Sequence, residues 1–250
     1  HLSIRRQRQM CIRDSAYTDN YIWVIQSGSD ISVIDPGDAS PVIELININK
    51  LNLVDILLTH HHFDHVGGTL ELKEQIDGKV YGPVGNIEGI DIHVTENDTV
   101  KTLDYEFSVL ETPGHTLDHI AYVESQKNLV FCGDTLFSAG CGRVFEGTFE
   151  QMHNSVQKLN QLVPETMIYC AHEYTESNLK FVLSEITDEF IENYYKKISA
   201  KRLIGDISIP TTLELERKIN PFLLDVVPSD LEGLSKLEQF TELRTRKDNA

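Results

Sequence analysis

The chain contains few cysteines and no long apolar run. Its four cysteines, among 250 residues, show neither Cys-x-x-Cys spacing nor a dense framework, which is typical of a protein in a reducing compartment. No apolar stretch approaches the ~18–20 residues that span a bilayer, and the basic, polar start of the chain lacks the apolar segment of a signal peptide. We therefore expect a cytoplasmic protein without a membrane segment.

Basic residues are also scarce. Lys and Arg number 22 against 39 Asp and Glu, which gives a formal net charge of −17. A long polyphosphate partner would meet repulsion over most of such a surface, which argues against a nucleic-acid-binding protein. Hydrophobic residues make up 40% of the 250 residues, enough for a core in one large domain, alone or with a smaller one.

The apolar pattern changes after His172. Strand and helix patterns are mixed before it, and only helical patterns follow it. Strands are predicted in NYIWVIQSGSDISVIDPG (two of them), LVDILLTH, GKVYGP, YEFSVLETPGH, HIAYVES, NLVFCGDTLF and TMIYCAHEY, and helices in SPVIELININK, TFEQMHNSVQKLNQLV, ESNLKFVLSEITDEFIENYYKKISAK, TTLELERKI and PSDLEGLSKLEQFTELRTRK. The third helical stretch is expected to carry Leu179, Ile186 and Phe190 on one apolar face.

These patterns predict an α/β protein with two domains. The first, β-rich domain covers residues 15–172 and the second, helical domain covers residues 173–250. Residues 1–14 begin with His1 rather than Met and precede the regular pattern. We interpret them as a foreign or disordered leader and assign no function to them.

Polar side chains that can bind metal follow four of the predicted strands. Loops at strand ends allow a rigid scaffold to aim side chains at one point. Imidazole nitrogen and carboxylate oxygen suit zinc, iron or manganese, and seven such donors are too many for one tetrahedral ion. The sequence therefore predicts two metal ions. The candidate ligands are His60, His62, Asp64, His65, His115, Asp134 and His172, with Asp134 suited to bridge both ions.

Simpler interpretations apply to single residues. A lone histidine such as His93 or His153 is most often a hydrogen-bonded core residue, and three successive histidines can form a solvated loop. The combined pattern, with donors after four strands, favours metal binding instead. We expect His61 and His119 to lie outside the coordination shell. Asp35 either supports a ligand or simply ends a strand.

Several motifs carry a resemblance to a known family. THHHFDHVGG, TPGHT, FCGDTLF and AHEY resemble the metallo-β-lactamase superfamily, which implies an αβ/βα sandwich with a two-metal site at one edge. Within it, DNYIW, GDTLFSAGCGRVFEG, HEYT, LERKINPFL and LRTRKD are similar to glyoxalase II, the hydroxyacylglutathione hydrolases. The resemblance covers about residues 16–248 and includes the helical tail.

The resemblance implies roles for single residues. One metal takes His60, His62 and His115, the other takes Asp64, His65 and His172, and Asp134 bridges them. Zinc is expected for both ions, with iron and manganese left open. The glutathione contacts implied are the backbone near Cys141 and the side chains of Arg143, Tyr174, Arg244 and Lys247. The chain has Phe145 where some members have tyrosine, so no phenol can donate there, and Ala171 where glycine is common.

The activity implied is thioester hydrolysis. S-(2-hydroxyacyl)glutathione, such as S-D-lactoylglutathione, would give glutathione and D-lactate, the second step of methylglyoxal detoxification. Two metals that share a water lower its pKa from ~15.7 towards ~7, and the bridging hydroxide would attack the thioester carbonyl. Asp64 and Asp134 are the expected catalytic residues, since Asp64 could also orient the hydroxide. Cations for the glutathione carboxylates would come from Arg143, Arg244, Arg246 and Lys247. A monomer is expected.

Other functions remain open at this point. A persulfide dioxygenase of the superfamily would use one iron on His60, His115 and Asp134, although the helical tail argues against it. A phosphodiesterase or RNA-processing nuclease conflicts with the net charge of −17. If the chain were a β-lactamase, its C-terminal helical tail would have no role. A non-enzymatic metal-binding or scaffold protein would retain the fold and be inert when loaded with metal.

Overall fold

A computed structural model describes residues 19–76 and 78–250 and the backbone of residues 8–13. The rest of the predicted leader lies outside the described residues. The chain forms two compact units: residues 1–111 with 118–127, and residues 112–117 with 128–250. This division follows contacts, and the predicted domain boundary after residue 172 remains a prediction. Within the described part of the chain, no helix is long and apolar enough to cross a membrane.

The first unit contains a mixed six-stranded sheet in the order β1-β2-β3-β4-β5-β6. The first three strands pair antiparallel and the next three extend the sheet in parallel. A second group, β7-β8-β9, is antiparallel. The elements are β1 (Arg8–Arg13), β2 (Tyr21–Ser27), β3 (Asp30–Ile34), α1 (Ser40–Asn49), β4 (Asn52–Leu57), α2 (Phe63–Val66), α3 (Thr69–Lys73), β5 (Val80–Pro83), β6 (Ile92–Val94), β7 (Thr99–Thr102), β8 (Tyr105–Glu111) and β9 (Ile120–Glu124).

Strands β3 and β4 run in parallel through the centre of the first unit's core. Ile31, Val33 and Ile56 belong to one buried apolar cluster with α1 and α3 packed against it. Apolar runs of this kind, rather than strict alternation, are typical of strands covered on both faces. Because the two strands are parallel, their carboxyl ends meet at the same edge. The backbone N–H of Asp35 donates to the carbonyl of Leu57 at 3.0 Å there.

The second unit combines a small sheet with five helices. Strand β10 pairs in parallel with β13, β13 pairs antiparallel with β14, and β11 and β12 form a hairpin. Its helical core includes Leu179, Val182, Ile191 and Ile219. The elements are β10 (Leu129–Gly133), β11 (Leu136–Phe137), β12 (Gly140–Cys141), α4 (Phe149–Asn160), β13 (Met167–Cys170), α5 (Thr175–Glu185), α6 (Glu189–Leu203), β14 (Thr211–Thr212), α7 (Leu213–Ile219), a 3₁₀ turn (Ser229–Leu231) and α8 (Lys236–Asp248).

The prediction of one continuous apolar face after residue 172 is wrong. The stretch forms two helices, α5 and α6, with a break at Ile186. Asp188 starts the second helix because its side chain accepts a hydrogen bond from the N–H of Ile191 at 3.0 Å. Phe190, expected on the buried face, is 50% exposed. The predicted strands are confirmed, and so are the helices predicted in SPVIELININK and TFEQMHNSVQKLNQLV. The helix predicted in PSDLEGLSKLEQFTELRTRK is wrong in its first part, where a 3₁₀ turn precedes α8, and the first two residues of TTLELERKI form β14 instead of helix. The short elements β1, β6, β7, β12, α2 and α3 had no separate prediction.

Candidate metal centre and substrate site

The first group of candidate ligands lies directly after β4 in the first unit. The chain continues extended to His62, which occupies the N-cap of the one-turn helix α2. This turn carries Asp64 and His65 in succession. His60 and His65 are buried, and Nε2 of His60 lies 3.2 Å from Nδ1 of His62. A short helix that begins inside the motif therefore brings the four donors together within six residues of chain.

Asp35 fixes the orientation of two of these imidazoles. Its carboxylate accepts hydrogen bonds from the N–H of Thr59 at 2.8 Å, from the Thr59 hydroxyl at 2.7 Å and from Nδ1–H of His65 at 3.0 Å. Because Thr59 donates its only hydroxyl proton to Asp35, it must accept from Nδ1–H of His60, 3.0 Å away. Both imidazoles therefore keep Nε2 as the atom with a lone pair, which is the form that binds metal.

These hydrogen bonds favour the interpretation of Asp35 as a residue that supports candidate ligands. One donor atom each of Asp35, His60 and His65 lies within 4.8 Å of the others. Its backbone has a φ of 52°, in the left-handed region, which aspartate adopts more readily than most residues. Its carboxylate already accepts three hydrogen bonds. That arrangement suits a residue that orients ligands.

Asn20 and Gly37 hold Asp64. The Asn20 amide donates to the Asp64 carboxylate at 3.0 Å and to its carbonyl at 3.2 Å. A side chain at Gly37 would place its Cβ 2.0 Å from the carbonyl oxygen of Asp64, so only glycine fits there. Sequence reasoning assigned Asn20 no role, although it lies in the DNYIW motif that carried the resemblance. A polar residue directly before an apolar strand was the available signal.

The second group of candidate ligands comes together in the second unit. Oδ2 of Asp134 lies 3.3 Å from Nε2 of His115 and 3.2 Å from Nε2 of His172. Two ligands bound at ~2.0–2.1 Å to one tetrahedral zinc ion lie about 3.3–3.4 Å apart, so these spacings fit metal ligands. His115 donates its Nδ1–H to the carbonyl of Arg143 at 2.8 Å, so the lone pair that can bind metal lies on Nε2.

Aromatic side chains surround His172. Its ring stacks on that of Tyr174, with centroids 4.8 Å apart and planes at 1°. The ring of Phe137 meets both edge-on, at 5.8 Å from His172 and 5.2 Å from Tyr174. Tyr174, a predicted substrate contact, therefore lies beside a predicted metal ligand. Such packing restricts the orientation of the imidazole.

The predicted glutathione residues of the second unit form one cationic cluster around helix α8. The guanidinium of Arg244 donates to the Cys141 carbonyl at 2.8 Å and to Asp248 at 3.0 Å. Arg143 lies 3.7 Å from the same carboxylate, and Nζ of Lys247 donates to the carbonyl of Ser177 at 3.3 Å. Arg244 is only 5% exposed, whereas Arg143 reaches solvent. Sequence reasoning missed Asp248, the anion inside the cluster.

Two cations near the end of α8 differ sharply. Burial, and then the charge of Arg244, lowers the pKa of Lys247 below its usual value. Arg246 forms hydrogen bonds with three carboxylates, those of Glu185, Asp230 and Glu242, which raise its pKa. Arg246 is therefore engaged in an ion-pair network, in contrast to its predicted availability for substrate carboxylates.

The other histidines make ordinary contacts. Nδ1 of His61 lies 2.9 Å from Asp118, and His93 pairs with the carbonyl of Pro83 at 2.8 Å. The ring of His153 packs against Phe240. His119 is buried and stacks on His60 at 4.7 Å. His93 is hydrogen-bonded but exposed and His153 is only half-buried, so the interpretation of these two as buried core residues is wrong. The placement of His61 and His119 outside the coordination shell stays a prediction.

This chain carries histidines and aspartates at the strand ends of an α/β fold, which is typical of the metallo-β-lactamase class of proteins. The family model described as "Metallo-beta-lactamase superfamily" matches residues 18–89 and 83–172, and the one described as "Hydroxyacylglutathione hydrolase C-terminus" matches residues 173–250. A curated hydroxyacylglutathione hydrolase of Photobacterium profundum is 47% identical over 245 residues, 94% of this chain and 96% of the relative. The chain belongs to the hydroxyacylglutathione hydrolase family.

Solved structures agree with this fold. ETHE1 from Myxococcus xanthus is similar with a TM-score of 0.68 and 25% identity, and the match covers 96% of this chain and 90% of that one. TTHA1623 in a di-iron-bound form is similar with a TM-score of 0.57 and 26% identity, over 82% of this chain and 95% of that one. The predicted fold class, a metallo-β-lactamase-type sandwich with C-terminal helices, is confirmed.

Proposed function

We propose that the chain is a metal-dependent thioester hydrolase that converts S-(2-hydroxyacyl)glutathione to glutathione and a 2-hydroxy acid. The expected substrate is S-D-lactoylglutathione and the expected product is D-lactate. One observation carries the proposal: the chain has metal-type donors at its strand ends and also a cationic cluster around α8, formed by Arg143, Arg244 and Lys247. The names of relatives that match nearly the whole chain support it.

We further propose that both ligand groups serve one site with two divalent ions. His60, His62 and His115 would hold one ion, Asp64, His65 and His172 the other, and Asp134 would bridge them. The donor types and the fixed tautomers of His60, His65 and His115 support this assignment. Zinc is the expected metal, with iron and manganese chemically compatible, and the di-iron form of TTHA1623 supports the number of ions.

The bound ions would activate a water molecule and polarise the thioester carbonyl. The chain's own residues orient the reactants. Asn20 holds the Asp64 carboxylate, which can accept a hydrogen bond from the attacking water. Glutathione carries two carboxylates and one ammonium, so Arg143 and Lys247 would bind its carboxylates while Tyr174 lines the route to His172. A thiolate leaves readily, so no general acid is required.

We assign metal binding to residues 15–172 and glutathione binding to residues 173–250 together with Cys141 and Arg143. We also propose a cytoplasmic monomer. The cysteines among residues 19–76 and 78–250 support a reducing location, because Cys132, Cys141 and Cys170 are buried and form no disulfide within these residues. Burial raises the pKa of Cys141 to about 11, so this thiol stays protonated and unreactive near neutral pH.

The test is hydrolysis of S-D-lactoylglutathione by the metal-loaded protein, followed at the thioester absorbance. The matched control substrate is a lactoyl thioester of N-acetylcysteamine, which lacks the carboxylates and the ammonium of glutathione. We expect rapid loss of the glutathione thioester, much slower loss of the control, and no turnover after chelation. Turnover unaffected by chelation would contradict the proposal, as would oxygen consumption with glutathione persulfide in place of thioester cleavage.

A further inference from the structure

The β11–β12 hairpin touches candidate site residues on three sides. It begins two residues after Asp134, and its Phe137 ring packs against His172 and Tyr174. On its return strand, the carbonyl of Cys141 accepts a hydrogen bond from Arg244 at 2.8 Å. A change in the position of this hairpin would therefore affect Asp134, the stacked ring of His172 and the cationic cluster together.

The end of the hairpin closes tightly against its beginning. The N–H of Gly142 donates to the carbonyl of Thr135 at 3.2 Å. A Cβ at Gly142 would lie 1.9 Å from the carbonyl oxygen of Asp134, so the backbones are in direct contact. With so little free space, a shift of the hairpin would move the Asp134 backbone as well.

The turn of the hairpin is held by side chains from distant helices. Ala139, at its tip, has a φ of 57°, a left-handed conformation that alanine rarely adopts. Glu216 of α7 accepts hydrogen bonds from the N–H of Ala139 at 2.7 Å and from the hydroxyl of Ser138 at 2.9 Å. The strained turn is therefore fixed by contacts made from outside it.

Asn220 completes this attachment from the end of α7. Its amide donates to the carbonyl of Phe137 at 3.1 Å, to that of Gly140 at 2.9 Å and to Glu216 at 3.1 Å. We call Glu216 and Asn220 the α7 clamp. Asn178 of α5 adds one bond, from its amide to the carbonyl of Ser138 at 3.0 Å.

The chemistry of the clamp is unusual for a buried site. Glu216 and Asn220 are completely buried, and burial raises the pKa of Glu216. A buried carboxylate is costly unless donors surround it, and Glu216 has four: Ser138, Ala139, Asn220 and Thr211, whose hydroxyl lies at 2.8 Å. An apolar side chain would fill the same volume without that cost, but it could not bind the turn.

We propose that the α7 clamp consists of positioning residues for the active site. It fixes the hairpin so that Asp134 and the Cys141–Arg244 pair keep one spacing, and it thereby couples metal binding to binding of the glutathione part of the substrate. This inference rests on the proposed function for the identity of the ligand. The clamp's effect on metal retention is independent of that function.

Two substitutions at Glu216 distinguish the effect of its hydrogen bonds from the effect of its side-chain volume. In Glu216→Gln, the amide oxygen can still accept from the N–H of Ala139 and from Asn220, while the amide N–H₂ faces Ser138 and Thr211. Those two hydroxyls can rotate to accept, so this variant preserves the clamp. Glu216→Leu fills a similar volume and makes none of the bonds. The matched control is Asp55→Leu, which removes a buried carboxylate that binds Lys79 N–H and Thr102 in the first unit.

The measurements use the full metal-loaded chain well below its melting temperature. Calorimetric titration with S-hexylglutathione, which has no cleavable thioester, gives a Kd, and metal analysis after dialysis gives retention. We expect Glu216→Leu to bind S-hexylglutathione about tenfold more weakly and to retain metal about tenfold less well, as loss of supporting hydrogen bonds typically does. Glu216→Gln should stay within about twofold of wild type on the same reasoning. Asp55→Leu should lower only the melting temperature.

A folded Glu216→Leu with wild-type Kd and wild-type metal retention would overturn the proposal. Equal effects from Asp55→Leu would overturn it too, because they would show general destabilisation. If Glu216→Leu does not accumulate, Asn220→Ala carries the test, because it removes the clamp's bonds to Phe137 and Gly140, with an expected change of about threefold or more in both measurements; no change would overturn the proposal. Failure of the wild type to hydrolyse any glutathione thioester would contradict the proposed function, while metal retention would still test the clamp.

Discussion

The two groups of candidate ligands are built in different ways. In the first unit, four donors occur within residues 60–65 around one turn of helix, with hydrogen-bond support from Asn20 and Asp35. In the second unit, three donors come from separate strand ends, and the hairpin beside them is attached to buried side chains of α5 and α7. The first group is therefore contiguous in sequence, whereas the second is assembled from distant segments. Substitutions in the interior of the second unit should therefore perturb its candidate ligands more than comparable substitutions in the first unit perturb the first group.

The largest effect is expected from Asp134→Ala, which removes the proposed bridge. The variant loses a carboxylate that lies 3.3 Å and 3.2 Å from two histidines. Loss of metal-assisted catalysis is worth about 4 kcal/mol, so activity should fall roughly a thousandfold or more. Metal analysis and thioester hydrolysis are measured on the same sample. Full metal occupancy in the variant would show that Asp134 is not a ligand and that the first group binds metal alone.

A smaller effect is expected from Asp35→Asn, which alters support of the first group. If the amide oxygen keeps the bond to the Thr59 N–H, the amide N–H₂ faces Nδ1 of His65 and forces the proton onto Nε2. That tautomer cannot bind metal through Nε2, so metal affinity should fall about 10–100-fold. Competition with a chromophoric chelator measures the affinity, with Asp55→Asn as the control for a buried carboxylate. Unchanged affinity would show that Asp35 only ends its strand.

The motif in residues 57–68 and the strand-end positions of the other ligands could be predicted from sequence. Residue types and apolar runs are local properties, so they needed no knowledge of the fold. Asn20, Asp248 and the α7 clamp could not be found in the same way. Asn20 lies 44 residues from Asp64 along the chain, and Glu216 lies 78 residues from Ser138. A polar residue in an apolar pattern does not reveal which distant segment it will bind. Apolar periodicity alone does not reveal the break at Ile186, which is followed by the N-cap at Asp188.

The cationic cluster can be tested with neighbouring residues of α8. Arg244→Ala combined with Lys247→Ala should raise KM about tenfold or more with little change in kcat, because charged hydrogen bonds of ~1.5–3 kcal/mol would be lost from ground and transition states alike. Arg246→Ala is the control, since Arg246 binds three carboxylates. An unchanged KM in the double variant, or an equal rise in the control, would refute the assignment of the cluster to glutathione.

The smallest effect is a pH dependence of KM. Burial and Arg244 lower the pKa of Lys247, so its ammonium is present at lower pH and is lost as the pH rises through that lowered value. Affinity for glutathione carboxylates should therefore decrease on the alkaline side earlier than for an ordinary lysine. Steady-state kinetics across the alkaline range should show KM rising in wild type and staying flatter in Lys247→Arg, which keeps its charge. Identical profiles would exclude Lys247 as the titrating contact.

We propose above all that the two ligand groups form one functional site. The direct test is to titrate metal-free protein with zinc while S-D-lactoylglutathione hydrolysis and bound zinc are recorded together. We expect activity to rise with zinc and to saturate at two ions per chain. Full activity at one ion per chain, or activity that is independent of added and bound zinc, would contradict it.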